Sequence, residues 1–494
     1  MRAIKRTASL CLASLLLATS LAACGTPAEI PDDQTTVPVA DTTAPAETTQ
    51  PPETGPLDAM KELDFEGASY RIAYPEEAKL TKYEWYIEPE EMTGDILNDT
   101  SLDRYRLVEE TLNVVFSFHA QANKLTMTPQ VAKTLQAGDD AYDLLQIHSS
   151  YDNMQSLIQS GLLYNLLTIP ELTLDASYFY KDITESFIIN EKLYYAVSSF
   201  CNSGRLPLHM VFNKKLMEDM NLELPYEAIL SGEWTYDLFL QYVQDGYADL
   251  NGDGARTSDD RYGYANLSGL SNYMVFGFDV SVVERTENGA YTPALTDEKL
   301  VSAIQRIVEF KNSNNDAYNT DVFPAAGEHM FMKGNALFST TGTGALDLRS
   351  IDSFDFGLAP FPKYDENQKH YTNNLVPDPL AIPGTVPAKR ISMVGTVTEA
   401  LAIASEELML PAYLDVYVER KLLRDPESIE VARLILQDVC VDVSRYYDFA
   451  GGIITPVYLL NNLPSPTAVV SYLTSIGRKT ASSAEKFFKI FYED

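Results

Sequence analysis

Cysteine is scarce in this chain of 494 residues. Four occur, Cys11, Cys24, Cys201 and Cys440, and none has CxxC spacing. A disulfide-rich scaffold, a zinc ribbon and a thioredoxin-type redox pair are thereby excluded. Histidine is also sparse: His119, His148, His209, His329 and His370 lie far apart, without the HExxH spacing of a zinc hydrolase. No GxSxG nucleophile elbow, no P-loop and no GxGxxG after a strand is present. Thr341-Gly342-Thr343-Gly344 is rich in glycine, but no lysine follows to reach a phosphate. Basic residues are outnumbered, 37 against 70 acids, for a net charge of −33. Such a field opposes nucleic acid and anionic lipid as partners. Among so many acids a pair suited to glycoside hydrolysis can always be found, and nothing singles one out.

What is present begins at the N-terminus. Met1-Arg2-Ala3-Ile4-Lys5-Arg6 is basic, and an uncharged apolar run of 12 residues follows from Leu10 to Leu21. That run falls short of the roughly 20 residues needed to span a bilayer. With Leu21-Ala22-Ala23-Cys24 behind it, the segment reads as a signal peptide over residues 1–23. The Leu-Ala-Ala-Cys ending resembles the lipobox of bacterial lipoproteins. The resemblance implies cleavage before Cys24, lipid on its thiol and new N-terminus, and a mature chain tethered on the extracytoplasmic face of the cell membrane. Several acyl chains on one residue give the stable anchoring that a single chain does not.

Residues 24–57 are dominated by Thr, Pro, Ala and acids and hold no Lys or Arg. Such a stretch cannot bury enough apolar surface to order itself, so it is expected to be a disordered, extended spacer. The remaining 437 residues are too many for one core, and 45% apolar content with 30 Tyr and 21 Phe is globular. Strand patterns at Tyr70–Tyr74, Val114–Phe118 and Tyr142–Ile147 alternate with helical ones at Asp99–Leu112, Thr128–Ala137 and Met154–Leu163. That order predicts βαβ units, a mostly parallel sheet, and ligand beyond the carboxyl ends of its strands. Further strands are expected at Leu193–Val197 and His209–Phe212, and helices at Asn213–Met220, from Trp234-Thr235 onward, at Val397–Glu407 and at Leu408–Leu423. Cys201 and Cys440 are expected as unpaired, buried thiols.

The sharpest local motif runs from Asp249 to Asp260. Asp249, Asn251, Asp253, Thr257 and Asp260 occupy positions 1, 3, 5, 9 and 12 of a 12-residue loop, with Gly254 at position 6. Calcium takes six to eight hard oxygens, and this spacing wraps them around one ion, Ala255 adding its carbonyl. Position 12 is Asp, not the usual Glu, so its bidentate reach is shorter. A structural calcium ion is expected here. The competing reading is an Asx-Gly turn with solvated acids.

Several segments, in this order and spacing, resemble the extracellular solute-binding proteins of ABC importers, in the carbohydrate-type group that includes maltose-binding protein. The carriers are Tyr142–Leu145 followed by Ser160-Gly161-Leu162-Leu163, Lys192–Val197 followed by Val211–Leu216, Trp234–Asp237, Phe331–Phe338, and Phe356–Pro362. The resemblance implies a two-lobed, periplasmic-binding-protein-like α/β fold of type II with an interlobe cleft. Lobe 1 would comprise residues 58–207 and 335–388, and lobe 2 residues 208–334 and 389–494. It implies hinge closure on a carbohydrate, or another small polar solute, and delivery to ABC permease subunits by a monomer that does no chemistry. Sugars need aromatic rings for their C–H faces and planar polar groups for their hydroxyls. Position by position, Ser149, Tyr151 and Asp152, then Asn202 and Arg205, then Thr341, Gly342 and Thr343 are the expected ligand residues. Trp85 and Tyr446 are the stacking candidates, with Tyr83 and Tyr447 as alternatives. Trp234 reads instead as a packing residue. The rival functions are a binder of peptide, a calcium-stabilised extracellular hydrolase and a surface adhesin.

Overall fold

The structure, a computed structural model, describes residues 55–76, 87–89, 91–123, 126–148, 154–202, 206–266, 269–313, 316–318, 329–342, 348–414, 423 and 425–493. In chain order its strands are β1 (Ala68–Pro75), β2 (Val114–Gln121), β3 (Leu144–Gln146), β4 (His209–Asn213), β5 (Tyr262–Ala265), β6 (Val283–Arg285), β7 (Tyr291–Pro293), β8 (Ala317–Tyr318), β9 (Ala336–Thr341), β10 (Phe356–Ala359), β11 (Asn373–Asn374), β12 (Leu380–Ala381) and β13 (Val439–Cys440).

Two sheets organise the chain. The first has the order β12-β3-β1-β2, with β1 parallel to both β2 and β3 and β12 antiparallel on the edge. The helix Ile96–Leu112 joins β1 to β2, and Met127–Gln136 joins β2 to β3, as the alternating pattern predicted. Asp95 starts the first of these helices, its carboxylate accepting from the Leu97 and Asn98 amides, and Asn113 ends it in the left-handed region at φ 50°. Leu97, Tyr105, Val108 and Leu112 are buried along one face. The second sheet has the order β10-β4-β9-β5-β8, with β4 antiparallel to both neighbours and β9, β5 and β8 mutually parallel in sequence across the sheet. Its core is aromatic. Trp234 is fully buried, stacks on Phe338 at 5.9 Å and donates its indole N–H to the Pro360 carbonyl at 3.1 Å. Thr235 caps the following helix, accepting from the Leu238 amide.

The sheets are joined where three segments run side by side. The Leu208 amide donates to the Asn374 carbonyl at 2.8 Å, and the Leu375 amide to the Cys440 carbonyl at 2.8 Å. Strands β11 and β13 are parallel, Asn373 opposite Val439. This seam departs from the expected partition. Segment 335–388 does not lie wholly with the first sheet: β9 and β10 flank β4 in the second, and the chain returns only at β11 and β12. Nor does 389–494 lie wholly with the second, because the helix Ile391–Ala404 packs on the helix Ile96–Leu112. The reason is pairing: β9 supplies the central position of the second sheet, between β4 and β5, which no other apolar run fills.

Two smaller differences have local causes. Leu193–Val197 is not a strand but holds one bridge, Ala196 to Leu380. Side chains take its other amides, with Asn165 Oδ1 accepting from Leu193 and Thr184 Oγ1 from Val197. The helix expected at Val397–Glu407 starts earlier, at Ile391, and passes into a π-helical turn at Ser405–Met409. Cys201 and Cys440 are free thiols, the first buried and the second half-buried.

An ion cluster ties the first sheet to the helix Ile391–Ala404. Asp143 is fully buried at the start of β3. Its carboxylate takes the Arg71 Nε–H at 2.9 Å and an Arg390 Nη–H at 3.0 Å, and Asp140 pairs with the same two guanidinium groups. Breaking a buried pair strands a charge, at a cost of about 3–5 kcal/mol. Asp143→Asn is therefore expected to lower the urea-unfolding free energy by about that amount. A loss below about 1 kcal/mol, the scale of an exposed pair, would show the cluster to be a surface contact in energetic terms.

Candidate functional site

In sequence, most of the expected ligand residues follow a strand or precede a crossing segment. Strand β1 leads to Trp85, β3 to Ser149, Tyr151 and Asp152, and β9 to Thr343, while Arg205 stands just before the first crossing into β4. In an open α/β sheet ligands are held beyond the carboxyl ends of the strands. Trp85, Ser149, Tyr151, Asp152, Arg205 and Thr343 themselves lie outside the described residues, as do Tyr83 and Cys24. Asn202 ends the short helix Ser199–Asn202 and is described in its backbone alone.

Thr341 and Gly342 are placed. Thr341 closes β9, buried, directly opposite His209 at the start of β4. Gly342 follows, and a Cβ there would collide with the side chain of Leu208. A side chain at this position would require the tip of Leu208 to turn aside. Two expected ligand positions, Thr341 and Gly342, thus stand beside the first crossing segment.

Sequence reasoning gave little weight to the five-residue helix Val443–Tyr447, which follows the third crossing and connects both sides. Arg445 donates to the Tyr273 hydroxyl, beyond the second sheet. The Tyr446 hydroxyl donates to the Pro377 carbonyl at 2.8 Å on the second crossing segment, and the Tyr447 hydroxyl donates to the Phe187 carbonyl on the first side. Asp448 accepts from the Gln155 side chain at 3.4 Å, two residues beyond the loop that carries Asp152. Tyr446 is 1% exposed, with its ring against Phe187 at 5.1 Å, so both its face and its hydroxyl are engaged by protein. Asp442, which caps the helix by accepting from the Ser444 amide, was the available signal for this element.

Titratable groups on the seam are perturbed by burial. His209 is pushed down to about 4; its Nδ1 is 2.8 Å from the Pro207 carbonyl, which makes Nδ1 the protonated nitrogen and Nε2 a bare acceptor. Burial raises the Cys440 thiol to about 12, so it is no nucleophile. Asp442 is raised from 3.8 to about 6 by burial, against the Ser444 hydrogen bonds and the charge of Arg445. Its Oδ1 accepts from the Ser444 amide at 3.1 Å and hydroxyl at 2.5 Å, and Oδ2 has no partner. No nucleophile–base pair stands among these groups.

The loop at Asp249–Asp260 closes on a bridge between Ala248 and Arg261. Asp249 accepts from the Gly252 amide at 2.7 Å and the Gly254 amide at 2.9 Å, Asn251 from the Asp253 amide and Asp253 from the Ala255 amide. Asp260, fully buried, accepts from the Leu250 and Thr257 amides. Each of these oxygens keeps a further lone pair, so the donor set suits a hard cation. Among the described residues no three His, Cys, Asp or Glu side chains converge at metal-binding distance. A groove of about 750 Å³ between the β6–β7 hairpin and the helix Val469–Phe488 is lined by Tyr291, Arg478, Lys489 and Tyr492. It contains none of the expected ligand residues.

No family model matches this chain, and no curated protein matches it in sequence. Solved structures do match in fold. An ABC substrate-binding protein of Listeria monocytogenes, in complex with cycloalternan, superposes with a TM-score of 0.53 at 14% identity, covering 87% of this chain and 100% of that one. A cyclo/maltodextrin-binding protein complexed with maltotetraose gives a TM-score of 0.53 at 14% identity, over 86% of this chain and 97% of the other. The fold is the two-lobed one of the carbohydrate solute-binding proteins.

Asp442 generates a pH prediction. Between pH 3.8 and about 6 the folded chain keeps a proton that the unfolded chain has released. The stability this group contributes is full below the lower value and is lost as pH rises through the upper one, by up to about 1.4 kcal/mol per pH unit. Asp442→Asn is expected to melt higher than the parent at about pH 7.5, with the gap closing toward about pH 4. Melting curves that keep a constant separation across that range would mean that Asp442 does not titrate with folding.

Proposed function

We propose that this chain is the lipid-anchored substrate-binding protein of an ABC importer, capturing a carbohydrate, most simply an oligosaccharide, between its two lobes and presenting it to a membrane permease. The observation that carries the reading is the end-to-end match in fold to sugar-complexed binding proteins, at a TM-score of 0.53 over 87% of the chain. Thr341 and Gly342, at the end of β9 beside Leu208 and His209, support it. So does the N-terminus, where Cys24 ends a lipobox-like Leu-Ala-Ala-Cys and a spacer of Thr, Pro and acids follows it. Tethering holds the receptor at high effective concentration beside its permease. The reading assigns no chemistry to the cleft.

Ligand that binds the folded state alone stabilises it by mass action, about 2.7 kcal/mol at a hundred times Kd. A thermal-shift screen of the mature chain against oligosaccharides and peptides is expected to give saturable upward shifts with one or more oligosaccharides. Shifts with peptides and none with any glycan would replace the carbohydrate assignment by a peptide-binding one.

The second part of the proposal is a structural calcium ion in the loop from Asp249 to Asp260, held by Asp249, Asn251, Asp253, Thr257 and Asp260 with the Ala255 carbonyl. The donor set and the positive φ of Gly252 and Gly254, 73° and 74°, support it. Chelation is expected to lower the melting point and calcium, but not magnesium, to restore it, because magnesium demands a tighter octahedron. An unchanged melting point in chelator would leave the loop as an Asx-Gly turn.

A further inference from the structure

The groove between the β6–β7 hairpin and the helix Val469–Phe488, about 750 Å³ in volume, is of the size that holds a small ligand. Its hairpin wall is firmly built. β6 and β7 pair antiparallel, the Thr286 amide donates to the Ala290 carbonyl at 2.8 Å, and Gly289 turns the chain at φ 84°. The Arg285 guanidinium donates to the Ile188 carbonyl and the Tyr291 hydroxyl to the Ser186 carbonyl, each at 2.7 Å, which fastens the hairpin to the body of the protein. Tyr291 and Phe488, both buried, line the inner side with ring centroids 6.2 Å apart. The Tyr492 hydroxyl donates to the Asn288 carbonyl at the hairpin tip at 2.6 Å. That bond fixes the Tyr492 ring while leaving it 37% exposed.

The helix wall presents Arg478, Ser482, Glu485 and, just past its end, Lys489. Spacings of four, three and four residues place them in one row on one face. At about 1.5 Å per residue the row is about 16 Å long, which suits an extended ligand. Lys489 is paired with Glu493 at 2.7 Å. Arg478 and Glu485 have no ion pair and no side-chain hydrogen bond among the described residues. In a chain of net charge −33 the groove therefore offers one unpaired guanidinium and one unpaired carboxylate, which balance. An anion or a cation would meet one of the two as a like charge. A protein partner is anchored by a desolvated apolar centre, and here a carboxylate stands mid-row. A neutral ligand rich in hydroxyls uses both groups, the guanidinium as donor and the carboxylate as acceptor, and rests a C–H face on the ring.

We propose that this groove is a second carbohydrate site, apart from the expected ligand residues, that takes a stretch of a neutral glycan chain. Tyr492 is its stacking ring, and Arg478 and Glu485 are its hydroxyl partners. The ligand class rests on the carbohydrate-binding reading, whereas the place rests on the groove alone. A glycan long enough to engage both sites is held at high effective concentration for the first.

The mature chain is titrated with neutral malto-, manno- and galacto-oligosaccharides and with peptides, and amide exchange is followed beside thermal shift. One or more of the glycans is expected to slow exchange at 286–292 and 478–492. Ser482→Trp fills the groove from an exposed position; it is expected to abolish that slowing and to leave the saturable thermal shift in place. Arg478→Met, which breaks no contact of the parent, is expected to weaken the slowing several-fold and serves should the tryptophan variant fold poorly. A saturable thermal shift with no slowing at the groove overturns the second site and leaves the carbohydrate reading standing. Slowing that Ser482→Trp abolishes, with no other binding event, supports the groove and removes the interlobe reading. Slowing that survives in Ser482→Trp, slowing by peptides alone, or no response to any glycan overturns the proposal.

Discussion

The seam of three crossing segments is the constraint on which the rest of the structure depends. The fully buried apolar residues of the two sheets, Tyr70, Ile72 and Leu144 in the first and Trp234, Phe239 and Phe338 around the second, belong to one continuous cluster. Between them the backbone is held by a handful of hydrogen bonds, Leu208 to Asn374, Asn373 to Asp438 and Leu375 to Cys440. A net hydrogen bond contributes about 0.5–1.5 kcal/mol, whereas burying one large apolar side chain contributes about 1.5–3. The helix Val443–Tyr447 follows directly on the third crossing, with Asp442 at its start.

Charge is distributed to the same effect. The excess of acid is carried on solvent-facing positions, where screening makes it cheap. Three of the buried charged residues, Asp143, Glu399 and Arg104, make contacts to one helix or its flanks. Asp143 is shared by two arginines and locks the Ile391–Ala404 helix to the first sheet. Glu399, 2% exposed, accepts from the Thr173 amide and the Tyr178 hydroxyl and fixes the far side of the same helix. Arg104 meets that helix's π-turn at Ser405. One helix, which the expected partition placed in the other lobe, is thus tied to the first sheet by three polar anchors.

Much of the fold was legible because periodicity encodes it. The βαβ order, the helix opening at Trp234-Thr235 and the burial of Trp234 all follow from patterns within a few residues, whereas the helix expected from Asp99 begins at Ile96, behind Asp95. The lobe boundary was not, because nothing local distinguishes a strand of one sheet from a strand of the other. β9 has the same apolar texture whichever neighbours it pairs with, and its place between β4 and β5 is a long-range fact. The Leu193–Val197 run misled for a related reason, since Asn165 and Thr184, distant in sequence, satisfy amides that a ladder would otherwise take. In the site the strand ends could be named from topology. Outside it, the burial of Arg104 could not. A lone arginine inside an amphipathic pattern reads as a surface residue until its carbonyl partner, 96 residues away, is known.

The unpaired polar atoms of the seam carry the argument one step further. His209 Nε2, Asn373 Nδ2, Asn374 Oδ1 and Asp442 Oδ2 are all buried without a partner, and all stand on or beside the three crossing segments. Each such group costs about 1–3 kcal/mol relative to its hydrated or paired state. The cost falls on this arrangement of the seam and not on either core. Any arrangement that admits water to these atoms, or pairs them with one another, recovers part of it. A seam with every polar group satisfied would be costlier to rearrange.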